Sequence, residues 1–215
     1  MTTEPGLRER KKQQTRELIA ETARRLFVER GFDRVTVAEV ARAADVAQKT
    51  VFNYFPTKED LVYWRLESFE NELLGTIRER AAGESALAAF SRFVRAPRGM
   101  LADHDEETRE RLAALTRTIT ESPALLAREQ QIFAGYTDHL AALLAEEQGA
   151  DAGDVEPWVV ANAMMGVHRA LVDYSRRRVV AGERHPRLAR KIVAEADRAI
   201  ARLEGGLGDY ARRDA

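Results

Sequence analysis

Apolar residues recur along almost the whole chain at the three- and four-residue spacing of amphipathic helices, and no run alternates as a half-buried strand does. Near the N-terminus, the apolar pairs at 18–19 and 26–27 give one face to a helix predicted over about 8 to 30. Gly31 stands where a helix C-terminal cap belongs. The first element is therefore a helix of about six turns.

Two much shorter helices follow. Thr36 and Glu39 have the spacing of a capping box, and Val35 and Val40 are placed as its hydrophobic staple. This box opens a helix that we predict to run to about Ala43. After a turn, another helix is predicted over about 46 to 53. Helices of two turns are marginal alone, so both must pack on the first one.

The remaining chain also has helical periodicity. Thr57 to Asp60 opens a helix predicted to end near Gly83. Further helices are predicted at about 84–96, 104–120, 123–148, 154–181 and 185–205, with breaks at proline and glycine positions between them. The predicted fold class is all-α.

The second short helix combines an apolar side with polar residues. Val51 and Phe55, with Val46, would face the protein, and the side chains that then point largely outward are Gln48, Lys49, Thr50, Asn53 and Tyr54. Two short helices joined by a tight turn are typical of a helix-turn-helix, in which the second lies in the DNA major groove. Gln and Asn can make paired bonds to adenine, and Lys can reach guanine or phosphate. Tyr54 and Lys58 are placed to contact phosphates, as are Thr36 and the amides that follow it.

The distribution of charge along the chain supports the prediction of DNA binding. The net charge is −1, but residues 1–60 hold 12 Lys and Arg against 10 Asp and Glu, while the rest holds 22 against 25. Within 8–16 there are five basic residues and one acidic residue. A basic end on an acidic body is expected where only that end meets a polyanion.

Other compositional features exclude several classes of protein. There is no cysteine, which excludes disulfides and thiolate metal sites. The most apolar window, 155–172, contains charged residues and fails as a membrane span. The N-terminus has no apolar stretch and is not a signal peptide. We therefore expect a soluble, cytoplasmic protein.

The stretch TVAEVARAADVAQKTVFNYFPTKEDL resembles the DNA-binding domain of TetR-type transcriptional regulators, and the likeness covers about residues 10 to 62. The resemblance implies a homodimer that binds a near-palindromic operator and is released by a small effector. It implies a three-helix helix-turn-helix DNA-binding domain at 1–56, with a basic arm at 8–16, followed by a larger helical ligand-binding and dimerisation domain at 57–215. The DNA-facing residues that it implies are Thr36, Gln48, Lys49, Thr50, Asn53, Tyr54 and Lys58.

Two positions depart from the family's pattern. The family usually has Gly where this chain has Asp45 and Ser where it has Ala47. Ala47 cannot cap the recognition helix through its side chain. Asp45 and Gln48 have the spacing of an alternative capping box, which would tie Gln48 back to the cap rather than to a base.

The C-terminal part should hold the dimer surface and an effector site. Leu188, Ile192, Ala196, Ala199 and Leu203 recur along the last helix, and small residues line the helix before it. Such stripes alone suggest core as much as interface, whereas the resemblance implies a four-helix bundle between subunits. An apolar pocket with a few polar groups is expected between the two ends of the chain. The residues predicted to line it are Trp64, Phe69, Phe90, Phe93, Leu112, Thr116, Phe133, Tyr136, Asn162, Met165 and His168.

This region also resembles, loosely, regulators that sense acyl-CoA-like ligands. In that case Arg92, Arg95 and Arg98 would meet the phosphates, while the alternative is a solvated basic face. The effector is thus expected to be apolar or acyl-CoA-like.

Enzymatic function is not predicted. The chain has no Gly-rich phosphate loop, no nucleophile elbow and no zinc-protease motif. Asp103, His104 and Asp105 are interpreted as an exposed helix start rather than a metal site. No cofactor and no metal are expected. Two alternatives stay open: an activator or ligand-independent DNA-binding protein with the same head, and an all-helical enzyme or adaptor.

Overall fold

The computed structural model describes residues 6–96, 106–151, 153–183 and 186–207, which form helices joined by turns without any β-strand. The helices are α1 (Leu7–Arg30), α2 (Val37–Ala43), α3 (Gln48–Tyr54), α4 (Asp60–Tyr63), α5 (Leu66–Arg78), α6 (Ala86–Arg95), α7 (Glu106–Thr120), α8 (Pro123–Gln148), α9 (Glu156–Val180) and α10 (Arg187–Leu207). The all-α prediction is confirmed. Arg98, Asp103, His104 and Asp105 lie outside the described residues.

The chain divides into two compact units. Unit 1 contains the chain up to Leu66 together with Arg117–Arg128, and unit 2 contains Glu67–Thr116 and the chain from Glu129 onward. Unit 1 therefore extends beyond the expected 1–56 domain. It also includes the end of α7 and the start of α8, which no local sequence pattern connects to the N-terminal helices.

Unit 1 is built around α1. This helix packs against α2 and α4, and α2 packs against α3. Ile19 and Phe27 of α1 are buried, as are Val40 of α2 and Val51 of α3. These contacts explain how helices of seven residues persist, because so short a helix is held mainly by packing.

One expected helix is divided in two. The sequence predicts a single helix from Thr57 to near Gly83, whereas the structure has α4 ending at Tyr63 and α5 beginning at Leu66. The apolar spacing continues across Trp64, so periodicity alone could not reveal this interruption. The boundary between the two units follows Leu66.

Unit 2 contains a packed set of helices in which α10 lies against α6 and α9. Leu188, Ala196 and Ile200 of α10 are buried within the single chain. Part of the stripe that the sequence suggested for dimerisation is therefore subunit core, because α10 uses that face to cover α6 and α9. In the same unit, Glu129 forms an ion pair with Arg176 in which both side chains are largely buried.

A helix long and apolar enough to cross a membrane is absent from the part of the chain that the structure describes.

Candidate DNA-binding surface and effector site

The start of α2 is fixed by the predicted capping box. The Thr36 amide donates to Oε2 of Glu39 (2.8 Å), and the Glu39 amide donates to the Thr36 hydroxyl (3.2 Å). Arg30 donates to the other carboxylate oxygen of Glu39 at 2.7 Å. The backbone hydrogen bond from Thr36, with the bonds from Arg30 and the Thr36 hydroxyl, lowers the pKa of Glu39 from 4.5 to about 2. The box holds Thr36 in an exposed position at the N-terminus of α2.

Helix α3 has one buried and one exposed side. Val51, and Phe55 just after the helix, are each 1% exposed. The exposed residues are Gln48, Lys49, Phe52 and Asn53, and Thr50 and Tyr54 are half-buried. Of the predicted base-reading side chains, Gln48, Lys49 and Asn53 are therefore exposed, and Thr50 is only partly so. The structure adds Phe52, which the sequence reasoning did not assign to either side.

The capping hypothesis for Asp45 and Gln48 is wrong. Helix α3 begins at Gln48 with Ala47 as its N-cap, and no side chain among the described residues caps it. Asp45 has a φ of +53°, the left-handed conformation that favours glycine and that Asp tolerates better than most residues. Asp45 therefore serves the turn rather than the helix cap, and Gln48 is exposed without a tie to Asp45.

Lys58, which the sequence suggested as a phosphate contact, also has partners within the protein. Its ammonium donates to the carbonyl oxygen of Phe32 at 2.6 Å and lies 4.1 Å from the centroid of the Phe32 ring. Burial lowers the pKa of Lys58. An ammonium has three N–H donors, so a phosphate contact through another of them stays compatible with this position.

Asp60 joins α4 to the start of α8 within unit 1. Its Oδ2 accepts bonds from the amide (2.9 Å) and hydroxyl (2.8 Å) of Thr57. Its Oδ1 accepts the Nε of Arg128 at 2.8 Å. The hydroxyl of Tyr63 donates to the carbonyl oxygen of Leu125 at 2.9 Å. These long-range partners, more than sixty residues apart, left no signal in the sequence.

Five of the predicted effector residues form an aromatic cluster inside unit 2. The Phe69 ring lies 5.1 Å from Phe93, 5.9 Å from Tyr136 and 4.6 Å from His168, measured between centroids. Phe133 lies 5.9 Å from Tyr136 and 5.3 Å from His168. Phe69 and His168 are half-buried, whereas the other three are buried. We call these five residues the aromatic cluster.

The other predicted effector residues do not join it by ring contacts. Phe90, Thr116 and Met165 are buried and Leu112 is half-buried in unit 2, while Trp64 belongs to unit 1. Asn162 is exposed, and its amide donates to the carbonyl oxygen of Trp158 at 2.8 Å. The spacing of Asn162 and His168 explains this, because six residues leave them about 120° apart around α9.

Arg92 and Arg95, two of the three arginines considered for phosphate recognition, have carboxylate partners. Arg92 is bonded to Glu84 at 3.2 Å and Arg95 to Asp197 at 2.5 Å. Each carboxylate offsets part of the positive charge that a phosphate site would use, although both arginine side chains are exposed.

Comparison with known proteins agrees with these features. The family model described as "Bacterial regulatory proteins, tetR family" matches residues 19–63, which include α2 and α3. A second model, "MftR C-terminal domain", matches residues 84–205. The chain belongs to the TetR family. The resemblance seen in the sequence is thereby confirmed, and the protein is a DNA-binding transcriptional regulator with an MftR-like C-terminal domain.

Two curated relatives extend the match over most of the chain. The HTH-type transcriptional regulator TcmR of Streptomyces glaucescens is 31% identical over 152 residues, which are 70% of this chain and 67% of TcmR. The putative mycofactocin biosynthesis transcriptional regulator MftR of Mycobacterium tuberculosis (strain ATCC 25618 / H37Rv) is 30% identical over 165 residues, 74% of this chain and 78% of MftR. Such TetR-family relatives are regulators and not enzymes, which confirms the non-enzymatic prediction.

Solved structures share the fold. The transcriptional regulator FadR from Bacillus subtilis, determined in complex with stearoyl-CoA, has a TM-score of 0.53 and 21% identity, covering 88% of this chain and 98% of FadR. A putative transcriptional regulator from Pseudomonas aeruginosa PAO1 has a TM-score of 0.51 and 17% identity, covering 90% and 92%. These likenesses concern the fold alone.

Proposed function

We propose that this TetR-family regulator is a repressor that binds a near-palindromic operator as a homodimer and releases it when a small, largely apolar effector binds. The observation that carries the DNA-reading part is the outward face of α3. Lys49 and Asn53 are exposed there on a helix that Val51 fixes from its buried side. Lys and Asn offer the hydrogen bonds that distinguish base edges in the major groove.

The homodimer is supported by an exposed apolar stripe on α9. Val155, just before the helix, is 66% exposed, Trp158 is 48% and Val159 is 56%. Gly166 follows on the same side, and a Cβ there would meet no heavy atom within 4 Å. Contiguous apolar surface of this kind marks an interaction site, and a glycine lets a second helix approach closely.

The occupant we propose for this stripe is α9 of a second copy. The resulting pair would carry two α3 helices, which a near-palindromic operator requires at half-sites about 34 Å apart or a multiple of that distance. Asn162 also lies on this side, so we assign it to the subunit interface and not to the effector site.

The aromatic cluster supports an effector that is largely apolar. Phe69 and His168 stand at the edge of three buried rings, so a ligand that extended the cluster would gain aromatic and apolar contacts. FadR of Bacillus subtilis was determined with stearoyl-CoA, which has a long apolar chain. Because Arg92 and Arg95 are paired with carboxylates, we propose that the apolar portion of the effector provides most of the affinity.

Release of DNA would follow from a shift between two conformations of the dimer, with the effector bound better by the conformation in which the α3 helices are wrongly spaced. The residues from 117 to 128 belong to unit 1, while the rest of α7 and α8 belongs to unit 2. We propose that α8 transmits the change, because Arg128 and Leu125 hold Asp60 and Tyr63 of α4.

The test is operator binding measured with and without a panel of effectors. The wild-type protein is titrated onto its selected operator in the presence of fatty acids, acyl-CoAs and aromatic compounds of matched size. Weakened binding with an apolar compound, lost when His168→Ala removes one ring of the cluster, supports the proposal. A protein whose operator affinity no compound changes would be a ligand-independent regulator, and increased transcription from a reporter would identify an activator.

A further inference from the structure

Phe52 is an aromatic side chain exposed in the middle of α3. Its exposed fraction is 44%, whereas its neighbour Val51 and the nearby Phe55 are each 1% exposed. Within the described parts of the chain, Phe52 stacks on no other ring. A single exposed apolar residue is ordinary on a protein surface. The position of this one on the helix, and not its exposure alone, therefore has to carry any inference.

That position is on the same face as the proposed base-reading residues. Successive residues of an α-helix turn by about 100°, so Phe52, Lys49 and Asn53 lie about 100°, 160° and 200° around from the buried Val51. All three are exposed. Phe52 thus lies on the exposed side of α3 within about 60° of Lys49 and 100° of Asn53, so a base pair that these two side chains meet also comes close to the Phe52 ring.

The ring restricts what Phe52 can recognise. It has neither donor nor acceptor, so it cannot bond to a phosphate or to the polar edge of a base. The 5-methyl group of thymine is the apolar feature that a base pair presents in the major groove. Contact with this methyl group removes apolar surface of both partners from water, which stabilises the complex.

We propose that Phe52 is a specificity-determining residue that contacts the 5-methyl group of a thymine in each operator half-site. This inference rests on the proposed function, because it requires that the outward face of α3 reads the operator. The other base-reading residues were proposed for their hydrogen-bonding groups, whereas Phe52 would contribute an apolar contact. The proposed contact also predicts a specific base, thymine, within the half-site.

The experiment replaces single thymines by deoxyuridine, which removes only the 5-methyl group. The operator is first obtained by selection from random duplexes with the full-length protein. Each thymine is then replaced in turn, symmetrically in both half-sites, and the affinities of wild-type and Phe52→Ala proteins are measured. For the wild-type protein, we expect one thymine position at which deoxyuridine weakens binding about fourfold per half-site, the value for losing one buried methyl group. For Phe52→Ala, the same replacement should have no effect.

Two further variants complete the comparison. Phe52→Leu keeps an apolar side chain and should retain most of the sensitivity to the methyl group, even if Phe52→Ala folds poorly. Leu18→Ala removes an apolar side chain that is 53% exposed on α1 of the same unit, and it should leave the sensitivity unchanged. Melting temperatures of all variants show whether each is folded.

The outcomes separate this inference from the function on which it rests. A wild-type protein that selects no sequence would overturn the proposed operator reading and the role of Phe52 together. An operator without a required thymine would overturn the role of Phe52 alone. Equal loss on deoxyuridine replacement in the wild-type, Phe52→Ala and Phe52→Leu proteins would also overturn it, because the methyl group would then be contacted by another residue.

Discussion

The ion pair between Asp60 and Arg128 joins α4 to the start of α8, and its removal gives the most specific prediction about the contacts of α8. Asp60 uses one carboxylate oxygen for Arg128 and the other for Thr57, and its side chain is 15% exposed. Arg128→Met removes this ion pair while leaving the bonds between Asp60 and Thr57 in place. Asp60→Ala removes the ion pair and also the bonds that its carboxylate accepts from the amide and hydroxyl of Thr57.

The expected magnitudes follow from these contacts. The Arg128 side chain is 33% exposed, so its pair with Asp60 falls between surface pairs of about 0–1 kcal/mol and buried pairs of about 3–5 kcal/mol. We expect Arg128→Met to lower the free energy of unfolding by about 1–2 kcal/mol. Asp60→Ala should cost about 1 kcal/mol more, because it also removes the hydrogen bonds from Thr57 and one such bond typically contributes about that amount.

The assay is a double-mutant cycle measured by urea unfolding, combined with operator binding in the presence and absence of an effector. Adding Arg128→Met to a protein that already contains Asp60→Ala should cost less than adding it to the wild-type protein by more than about 0.5 kcal/mol, the usual deviation from additivity for independent sites. Arg128→Met should also reduce the effector's ability to weaken operator binding. Full additivity of the two substitutions, together with an unchanged effector response, would refute this role for α8.

Three other predictions concern single features. The pKa of Glu39 is lower in the folded than in the unfolded protein, so the stability that Glu39 contributes through the capping box should be complete above about pH 4.5 and lost as the pH falls toward 2. Glu39→Gln should flatten this part of an acid-unfolding curve. An unchanged curve would contradict the assignment. Trp158→Asp should raise the dissociation constant of the dimer at least about 30-fold, as expected for an interface hot spot. Leu18→Asp should leave this constant unchanged in analytical ultracentrifugation. An unchanged dissociation constant for Trp158→Asp would exclude α9 from the interface. Asp45→Gly should be more stable than Asp45→Ala by about 1 kcal/mol in thermal unfolding, because only glycine adopts the left-handed conformation without a Cβ penalty; equal stability would show that the turn is not strained.

The N-terminal helices were predictable because their signals are local. Thr36 and Glu39 are three residues apart, and a capping box depends on nothing beyond that spacing. Gly31 ends α1 with a φ of +82°, as its position suggested. The boundaries of α8 were also predicted, since a proline and a glycine mark its two ends.

Three features of the structure were not predicted correctly from the sequence pattern. The alternative cap at Asp45 fitted the sequence pattern equally well, but the turn requires a left-handed residue there and cannot also begin a helix. Asn162 shares a repeating spacing with His168, yet an interval of six residues moves it to another side of α9. Arg128 has no local signal of its partner Asp60, which is 68 residues away. Local backbone geometry decided the first two outcomes, and only the pairing of Arg128 depended on a distant segment.

The central claim is that the outward face of α3 determines which DNA sequence the protein binds. It is tested most directly by selecting from random duplexes with wild-type, Asn53→Ala and Tyr54→Phe proteins under one salt concentration. We predict that wild type enriches a near-palindromic sequence, that Asn53→Ala changes the preferred base at one position of each half-site, and that Tyr54→Phe keeps the same sequence with weaker binding. Selection of the same sequence with the same base preferences by Asn53→Ala would contradict the claim.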